Sequence, residues 1–252
     1  MEPVWPRRTD LTYRRCSIVI PAKNEHHSIT VVLARIAEDV STPFDCFVVV
    51  DDDQDPTVGV VQDFSQQDSR FTILLNDSGS GPAAAIRAGI RASQAPVVVV
   101  TMADGSDDPR VIDDLVRLIE RGVVIAAGSR YMAGGQLVGA PRIKSLLSRI
   151  AGLSLYWLAR VGTRDATNNF KAYDRTFLND VGVESPHGFE IGIELVAKAR
   201  RWRMPVAELP TIWIERSSGS SQFKVWGWIP QYLHWYFQAF GKAKRPATSE
   251  TL

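Results

Sequence analysis

The sequence predicts one α/β domain with a mostly parallel, Rossmann-like sheet flanked by helices and an amphipathic helix at the C-terminus. Three observations support this fold class. Strand-like and helix-like segments alternate from residue 16 to residue 127. Four consecutive valines at 97–100 are typical of a strand that is buried on both faces, as in parallel sheets covered by helices. The 252 residues contain no internal repeat or low-complexity linker that would separate two domains.

The alternating segments can be placed in chain order. Short apolar runs predict strands at 16–20, 47–50, 71–75, 97–102 and 123–127. Helical periodicity between them predicts helices at 29–37, 58–64, 82–92 and 109–121. Such alternation indicates parallel strands joined by right-handed crossovers. After residue 128 the pattern is less regular, and we expect helices near 144–161 and 189–200 and a strand near 206–214.

The composition bears on partners and location. The chain has 29 Lys and Arg against 28 Asp and Glu, so its net charge gives no reason to expect nucleic acid. No apolar run reaches the ~20 residues that a membrane span needs, and the N-terminus lacks the apolar core of a secretory signal. Cys16 and Cys46 fall on predicted strands and are expected to be reduced core residues. We therefore expect a cytoplasmic protein.

The strongest candidate site follows the valine strand. Asp104, Asp107 and Asp108 occur within five residues, at a strand end where open α/β sheets usually bind ligands. A carboxylate at this position can hold a divalent cation such as Mg²⁺ or Mn²⁺, and the cation can neutralise a diphosphate. The alternative is a polar loop in which Asp107 or Asp108 caps the helix that begins near Pro109. We favour capping for Asp107 and Asp108, and metal binding for Asp104 because it lies nearest the strand.

A second acidic turn and a glycine-rich loop indicate a nucleotide. Residues 51–55 follow a predicted strand and are rich in aspartate, whose carboxylates can accept hydrogen bonds from a base or from ribose hydroxyls. Gly79, Gly81 and Ala84 match a dinucleotide-binding fingerprint in form. However, three residues separate the strand from Gly79, whereas the fingerprint follows its strand at once. We therefore favour a loop whose glycines approach a nucleotide before Pro82 starts a helix.

Basic residues of the second half are suited to an anionic acceptor. They are Arg130, Arg142, Lys144, Lys171, Arg216 and Lys224, all in or beside predicted loops. Each one alone is ordinarily a solvated surface residue. Together they supply the charge that a phosphate-bearing acceptor needs. The segment SSGSS at 217–221 lies between two of them and is expected to form a cover that closes on the substrate.

The C-terminal segment at 226–245 is rich in aromatic residues. Its apolar side chains fall on one helical stripe, namely Trp228, Ile229, Tyr232, Leu233, Tyr236, Phe237 and Phe240. Two interpretations remain open. In the first, the helix is docked on the core. In the second, 226–245 contacts a membrane surface, with aromatic rings at headgroup depth and Lys242, Lys244 and Arg245 facing anionic lipid.

With these segments placed, the sequence resembles family-2 glycosyltransferases, specifically the polyprenyl-phosphate (dolichol-phosphate) mannose or glucose synthases. The resemblance covers roughly residues 17–224. Eight motifs carry it in the family's order: SIVIPAKNE, DDDQDPT, GPAAAIRAG, MADGSDDP, GSRYMAGG, ATNNFKAYDR, GFEIGIEL and ERSSGSSQFK. The resemblance implies a GT-A fold that binds a nucleotide sugar and a divalent metal, and that transfers the sugar with inversion to a polyprenyl phosphate.

The resemblance also implies roles for individual positions. The nucleotide-sugar pocket would be lined by Pro21, Ala22, Glu25, Asp51 and Asp53, together with Gly81 and Asp104. Asp104 would be the metal ligand. Arg130 and Arg142 would meet the acceptor phosphate, and Arg216 and Lys224 would belong to the closing loop. Catalysis would depend on Asp104, Arg130 and Arg216.

Two motifs depart from the family's pattern, and one of them is the acidic turn at 51–55, which lacks the usual DDGS and leaves the choice of base open. Where the family commonly reads DADLQHPP, this chain reads MADGSDDP, so that Met102 and Ser106 replace an aspartate and a glutamine. Metal binding would then rest on Asp104, diphosphate oxygens and water, with help from Asp107. The implied organisation is a basic arm at 1–14, a glycosyltransferase domain at 15–224 and an amphipathic helix with a basic tail at 225–252. Within the domain, 15–128 would bind the nucleotide and 129–224 the acceptor.

These inferences combine into one predicted function. A hexose would move from GDP-mannose or a UDP-sugar to a polyprenyl phosphate on the inner face of the membrane, releasing the nucleoside diphosphate. The acceptor has its second pKa near ~6 and is mostly dianionic at neutral pH, so it needs positioning more than a general base. Two alternatives remain, a soluble or antibiotic-pathway acceptor and a nucleotide-sugar-binding protein without turnover.

Overall fold

Nine strands and a set of flanking helices make up the part of the chain that the computed structural model describes, residues 14–77, 79–140, 142–186, 188–215 and 225–244. The strands are β1 (Cys16–Pro21), β2 (Phe44–Val50), β3 (Phe71–Leu75), β4 (Val97–Val100), β5 (Ile125–Ser129), β6 (Gln136–Val138), β7 (Lys171–Asp174), β8 (Val206–Pro210) and β9 (Ile212–Ile214). The helices are α1 (Ile29–Asp39), α2 (Thr57–Gln67), α3 (Pro82–Ala92), α4 (Ile112–Glu120), α5 (Arg142–Ser154), α6 (Arg175–Val181), α7 (Ile191–Arg201) and α8 (Val225–Gln238). A 3₁₀ turn at Pro109–Val111 precedes α4, and a π-helical turn at Leu155–Ala159 continues α5.

The main sheet has the strand order β3-β2-β1-β4-β7-β5-β8. β3, β2, β1 and β4 run parallel, as the alternation predicts. β7 is antiparallel to both of its neighbours, β4 and β5, whereas β8 is parallel to β5. The predicted mostly parallel sheet is therefore confirmed. The strand order changes direction between β1 and β4, so the carboxyl ends of these two strands form the switch point at which open α/β sheets bind ligands.

Helices cover both faces of this sheet, which explains the continuous apolar strands. α1, α2 and α4 contribute to one buried cluster, and α3, α6, α7 and α8 contribute to the other. In β4, Val97 and Val99 belong to the first cluster and Val98 and Val100 to the second. Gly89 brings α3 so close to β1 that an added Cβ atom would collide with a Val19 methyl group. A side chain at this position would push α3, and the glycine-rich loop before it, away from the sheet.

The second half contains elements that the sequence analysis did not predict. These are β6, β7 and α6. The predicted strand at 206–214 is two strands, because β8 pairs with β5 in the main sheet and β9 pairs with β6 in a separate one. The chain crosses between the sheets at Thr211, whose N–H donates to the Ser129 carbonyl at 3.1 Å. The helix predicted at 144–161 corresponds to α5 and its π-helical turn.

Three further predictions concern the cysteines, the N-terminus and the membrane. Cys16 and Cys46 are buried and free, as predicted. The predicted basic arm at 1–14 lies outside the described residues except for Arg14. Among the described helices, none has both the length and the apolar character that crossing a membrane requires.

Candidate active site

The segments predicted to bind a nucleotide meet at one edge of the sheet. Pro21 ends β1, Asp51 follows β2, and Gly81 is the N-cap of α3, which follows β3. Ala22 continues from β1 and is buried, and Asp104 lies in the loop after β4, the neighbour of β1. Because the four strands are parallel, their carboxyl ends form a continuous edge roughly 14 Å across. The structure therefore brings the predicted donor-side residues together.

Backbone donors tie the loop after β1 to the acidic turn after β2. Asn24, in a left-handed conformation with φ 57°, donates its N–H to Asp55 Oδ2 at 2.8 Å. The Glu25 N–H donates to Thr57 Oγ1 at 2.9 Å, and Glu25 Oε2 accepts from Ser28 Oγ at 2.8 Å. The two loops thus form one unit, which holds Glu25 beside the acidic turn.

Asp51 and Asp53 differ although both were predicted to line the nucleoside pocket. Both oxygens of Asp51 accept hydrogen bonds from the loop between β3 and α3. Oδ1 accepts from Asn76 Nδ2 at 2.8 Å, and Oδ2 accepts from the Gly81 N–H at 2.7 Å. Gly81 has a φ of 92°, a conformation that favours glycine. Asp53 is exposed and accepts from the neighbouring Gln54 side chain at 3.1 Å. Asp51 therefore fixes the start of α3, and a nucleoside-binding role for either carboxylate stays a prediction.

The loop after β4 places two of its aspartates in contrasting environments. Asp104 is partly exposed, and its Oδ1 accepts from the Ser106 N–H at 3.0 Å. Asp107 is buried and turns back toward the strand, where its Oδ2 accepts from Thr101 Oγ1 at 3.0 Å and from the Met102 N–H at 3.1 Å. Met102 contributes a backbone N–H, which any residue except proline supplies. Replacement of the family's aspartate by Met102 therefore leaves this bond intact.

The third aspartate of the loop is a cap. Asp108 accepts from the Arg110 N–H at 3.2 Å and from Arg110 Nη2 at 2.7 Å, at the start of the 3₁₀ turn that leads into α4. The prediction of capping is confirmed for Asp108. It is wrong for Asp107, because that carboxylate bonds to the end of β4 instead of the start of the helix.

Electrostatics link Asp104 and Asp107. Burial, and then the charge of Asp104, raises the pKa of Asp107 to about 7, against the opposing hydrogen bonds from Thr101 and Met102. Asp107 Oδ1 has no hydrogen-bond partner among the described residues. No cluster of three or more His, Cys, Asp and Glu ligands occurs in the described part of the chain. Two mutually repelling carboxylates, one with an unpartnered buried oxygen, nevertheless provide the hard oxygen ligands that fit Mg²⁺ or Mn²⁺.

The cationic side of the site is centred on Arg130, directly after β5. Its Nε and Nη2 donate to the two Asp165 oxygens at 2.7 and 2.8 Å, and its backbone N–H donates to Asp165 Oδ2 at 3.0 Å. The two side chains are 13% and 0% exposed. Burial alone would lower the pKa of Arg130, but the charge and hydrogen bonds of Asp165 raise it above its ordinary value. Arg130 therefore stays charged. Asp165 was not predicted, since nothing in its local sequence indicates so distant a partner.

A fully buried lysine lies between the acidic and cationic sides. Lys171 starts β7, in register with Val100 at the end of β4 and with Ala127 in β5. Its Nζ donates to the Ala166 carbonyl at 3.2 Å. Burial lowers the pKa of Lys171 to about 7, although the charge of Asp165 opposes the shift. The sequence analysis grouped Lys171 with solvated cations beside loops, whereas the structure places it in the sheet with no exposed surface.

Glu190 is a second residue that sequence reasoning missed. It lies at the N-terminus of α7 with 1% exposure, and its Oε1 accepts from the Gly188 N–H at 3.2 Å. Glu190 Oε2 and Asn169 Oδ1 are both buried without a partner among the described residues. Burial, and then the charge of Glu190, raises the pKa of Tyr232 in α8, whereas the charge of Arg130 lowers it. The motifs GFEIGIEL and ATNNFKAYDR indicated the segments but not which of their side chains point inward.

Several predicted acceptor residues have no described side chain. Arg142 is the first residue of α5, and Lys144 follows in the same turn, but the side chains of both lie outside the described part of the chain. Arg216, Lys224 and the segment at 217–221 also lie outside the described residues. Their roles stay predictions.

α5 connects the cationic side with an exposed apolar surface. Toward the site, the Ser145 carbonyl accepts from the Tyr131 hydroxyl at 3.3 Å, and Ser148 Oγ lies 3.5 Å from Arg130 Nη2. Away from it, five large apolar side chains are more than half exposed: Leu146 58%, Leu147 53%, Ile150 56%, Trp157 68% and Leu158 71%. These five residues are called the α5 apolar surface below.

α8 is docked on the core, as the first interpretation of its aromatic stripe predicts, and contact with a membrane stays a prediction. Trp235 and Ala239 are buried in the cluster that includes α7, and the Tyr236 hydroxyl lies 3.0 Å from Ser154 Oγ of α5. Leu233, Phe237 and Phe240 are exposed. The helix is therefore docked on the core along one edge and exposed along another, beside the α5 apolar surface.

The fold is an α/β fold of the GT-A type, with carboxylates at the switch point and a cationic side two strands further on. The family model described as Glycosyl transferase family 2 matches residues 17–182. The chain therefore belongs to glycosyltransferase family 2 and is a glycosyltransferase enzyme. The predicted resemblance is confirmed, and a nucleotide-sugar-binding protein without turnover is not supported.

Named relatives and solved structures agree with this family. A polyprenol monophosphomannose synthase of Mycolicibacterium smegmatis is 29% identical over 217 residues, which are 83% of this chain and 81% of that protein. A dolichol-phosphate mannosyltransferase of Pyrococcus furiosus is 27% identical over 83% of this chain and 59% of its own length. A glucosyl-3-phosphoglycerate synthase of Mycobacterium tuberculosis, solved with Mn²⁺, UDP-glucose and phosphoglyceric acid, has a TM-score of 0.69 at 17% identity, over 92% of this chain and 81% of that one. A mannosyltransferase of Pyrobaculum calidifontis, solved with GDP-mannose and Mn²⁺, has a TM-score of 0.64 at 20% identity, over 97% and 70%.

Proposed function

We propose that this glycosyltransferase moves a hexose from GDP-mannose or a UDP-sugar to a polyprenyl phosphate, with inversion at the anomeric carbon. An acceptor phosphate oxygen forms a bond to that carbon, while the bond to the diphosphate oxygen breaks and its electron pair leaves with the nucleoside diphosphate. The names of the two sequence relatives support a polyprenyl phosphate acceptor. The ligands of the two structural neighbours support a nucleotide-sugar donor.

The strand spacing provides room for transfer between the two sides of the site. β7 separates β4 from β5, so the loop with Asp104 and the strand end with Arg130 are roughly 10 Å apart, or two strand spacings. A sugar bound in this gap would have its diphosphate near Asp104 and the acceptor phosphate near Arg130. The acceptor phosphate would then attack the anomeric carbon from the side opposite the departing diphosphate, as inversion requires.

The chain's own residues would supply charge and orientation. A divalent cation held by Asp104, with Asp107 beside it, would stabilise the negative charge that develops on the departing diphosphate. Arg130 is fixed by Asp165, and its Nη1 makes no hydrogen bond to any described residue, so it is available to a phosphate oxygen. The acceptor is already mostly dianionic at pH 7, because its second pKa is near ~6. Positioning by Arg130, together with Arg142 and Arg216, therefore replaces a general base.

The main structural support for a lipid acceptor is the α5 apolar surface beside Arg130. This surface starts at Leu146, next to the turn where Ser148 meets Arg130, and extends to Leu158. The helical rise gives it a length of roughly 18 Å. A polyprenyl chain whose phosphate lies at Arg130 could follow this surface. Exposed apolar patches of this kind mark interaction sites for lipids or proteins, and a small soluble acceptor would not need one.

The same surface supports peripheral contact with a membrane. The α5 apolar surface and the exposed edge of α8 are adjacent, because Ser154 and Tyr236 link the two helices. Both would lie in the interface of the bilayer with their apolar side chains at headgroup depth. We place the enzyme on the cytoplasmic face of the membrane, where nucleotide sugars are available.

The test is a transfer assay with a matched pair of lipids. GDP-mannose and UDP-glucose are each offered with a short polyprenyl phosphate, or with the same polyprenol lacking phosphate, in Mn²⁺, Mg²⁺ or EDTA. We expect a lipid-extractable sugar product from one donor, only with the phosphate and only with metal. Phosphoglyceric acid is assayed in parallel, because the M. tuberculosis neighbour was solved with it. Transfer to this soluble acceptor and not to the lipid would contradict the lipid acceptor and leave the transferase assignment intact.

A further inference from the structure

A basic cavity that is separate from the candidate active site lies at the other end of α5 from Arg130. It has a volume of about 850 Å³ and lies between the π-helical turn, the end of α7, the start of β8 and the segment after α8. Val206 at the start of β8 lines it, and β8 runs parallel to β5, so the cavity is at the opposite end of the sheet from Arg130. Its cationic lining residues are Arg160, Arg200, Arg203 and Lys242, and the residues lining it include no Asp or Glu in the described part of the chain.

Three of these cations are available to a ligand. Arg200 braces the cavity, because its Nε donates to the Ala159 carbonyl at 3.0 Å and its Nη1 to the Gly241 carbonyl at 2.8 Å. Arg160, Arg203 and Lys242 are exposed, and their side chains make no hydrogen bond or ion pair with any described residue. An anion entering the cavity would therefore meet three charges that no acidic side chain of the described residues pairs with.

The backbone at Arg160 and Arg203 is unusual for arginine. Arg160 follows the π-helical turn and Arg203 follows α7, with left-handed φ values of 57° and 56°. Helices usually end in this conformation with glycine or asparagine, which adopt it more easily. A cation at a helix C-terminus also interacts favourably with the helix dipole. This structural explanation and ligand binding make different predictions, which the experiment below separates.

Exposed apolar side chains border the cavity. Leu158 and Phe240 line it, and Trp157 is adjacent to Leu158 on the α5 apolar surface. Arginine and lysine next to exposed tryptophan, leucine and phenylalanine are typical of protein surfaces that lie at lipid headgroups. The cavity thus continues the α5 apolar surface at its end remote from Arg130.

We propose that this cavity binds the phosphate of an anionic phospholipid and holds the far end of α5 on the bilayer. The phosphate accepts hydrogen bonds from Arg160, Arg203 and Lys242, and the lipid's apolar part contacts Leu158 and Phe240. The α5 apolar surface then has a phosphate site at each end, which fixes the orientation of the helix on the membrane. This inference, like the proposed function, places the enzyme on a membrane surface, but it does not require polyprenyl phosphate to be the acceptor.

The test measures binding of the full chain to vesicles without polyprenol. Vesicles of phosphatidylcholine alone are compared with vesicles that also contain phosphatidylglycerol, by cosedimentation. The variant Arg160→Asn/Arg203→Asn removes two charges and keeps residues that tolerate the left-handed backbone. Each arginine near an anionic surface strengthens binding about fivefold, so we expect the double variant to bind anionic vesicles about 25-fold more weakly and Lys242→Gln about fivefold more weakly.

A charge-matched control lies on the other face of the sheet. Arg117→Asn/Arg121→Asn removes two exposed cations, one in α4 and one directly after it, and α4 packs in the opposite apolar cluster. We expect it to bind anionic vesicles as the wild type does. A melting temperature is measured for each variant. Unchanged vesicle binding by Arg160→Asn/Arg203→Asn would overturn the proposal, and a lower melting temperature with unchanged binding would assign the arginines to the helix dipole.

A soluble anion is the remaining competitor for the cavity. If inorganic phosphate binds the wild type but not the double variant, while vesicle binding is the same for both, the cavity is a soluble-anion site and the lipid proposal is overturned. The outcome is independent of transfer activity. A chain that shows arginine-dependent vesicle binding but no transfer to polyprenyl phosphate would contradict the proposed function and support this inference.

Discussion

Asp104 on the donor side accepts a hydrogen bond from a nearby backbone N–H group, whereas Arg130 on the acceptor side pairs with a buried carboxylate that is distant in the chain. Asp104 bonds to Ser106, two residues away, and remains partly exposed. Arg130 bonds to Asp165, 35 residues away, and both are buried. The comparison indicates that the charge of Asp104 is held by a local turn and stays available to a ligand. The charge of Arg130 is part of the packing, so loss of its partner should affect stability as well as activity.

The largest expected effect follows from the buried pair. Asp165→Ala leaves the charged Arg130 buried without its partner, and breaking such a pair costs about 3–5 kcal/mol of the free energy of unfolding. The control is Asp114→Ala, which removes an equally short but exposed pair with Arg117, at 2.6 Å with side chains 59% and 63% exposed. An exposed pair of this kind contributes less than about 1 kcal/mol. Urea unfolding measures both losses, and equal losses would contradict the contrast between a buried and an exposed ion pair.

A substitution of Asp104 tests the donor side, where we expect activity to fall while stability stays nearly the same. Asp104→Asn keeps an acceptor for the Ser106 N–H but removes the charge that would hold a cation. We expect turnover to fall on the order of 10²–10³-fold, as for loss of a group that stabilises transition-state charge, with the unfolding free energy nearly unchanged. Asp68→Asn is the control for activity, because Asp68 also accepts from a backbone N–H two residues on, that of Arg70 at 3.0 Å, and lies before β3 at the other end of the sheet, where it pairs with the Arg70 side chain. Full activity of Asp104→Asn with unchanged metal dependence would show that Asp104 does not hold the metal.

The sequence could predict features that depend on local patterns, but not features that depend on contacts between distant segments. The valine strand and Asp104 after it are local patterns, and the strand alternation placed Gly81 and Asp51 at the same edge. β7 has the sequence KAYD, with a charged residue at each end and no apolar run, so only its contacts with β4 and β5 define it as a strand. The partner of Arg130 and the burial of Lys171 depend on this antiparallel insertion. Neither residue spacing nor composition contains that information.

Burial of Lys171 should make the free energy of unfolding depend on pH. Its pKa falls from 10.5 to about 7 in the folded chain, so between these values the unfolded chain binds a proton that the folded chain does not. The unfolding free energy of the wild type should therefore rise with pH above about 7, and stay unaffected by this group below it. We expect a rise on the order of 2 kcal/mol from pH 7 to pH 9 that Lys171→Met lacks. Urea unfolding at the two pH values measures it. Lys23→Met, which removes an exposed lysine, should keep the wild-type slope, and a Lys171→Met slope equal to the wild type would contradict burial of the charge.

The smallest expected effect concerns the α5 apolar surface, which lies next to the charges of the acceptor side. Leu147→Ser/Ile150→Ser makes two half-exposed residues of α5 polar without opening a cavity in the core. If a polyprenyl chain partly covers them, we expect KM for a long-chain polyprenyl phosphate to rise roughly tenfold while kcat stays the same. Val31→Ser on α1 is the control, since Val31 is 61% exposed and α1 lies on the other face of the sheet. A polyprenyl phosphate too short to reach residues 147–150 should show the same KM with every variant. Equal KM increases for the long and short acceptors would mean that α5 acts on the phosphate end through Ser148 and Arg130 instead of along the lipid.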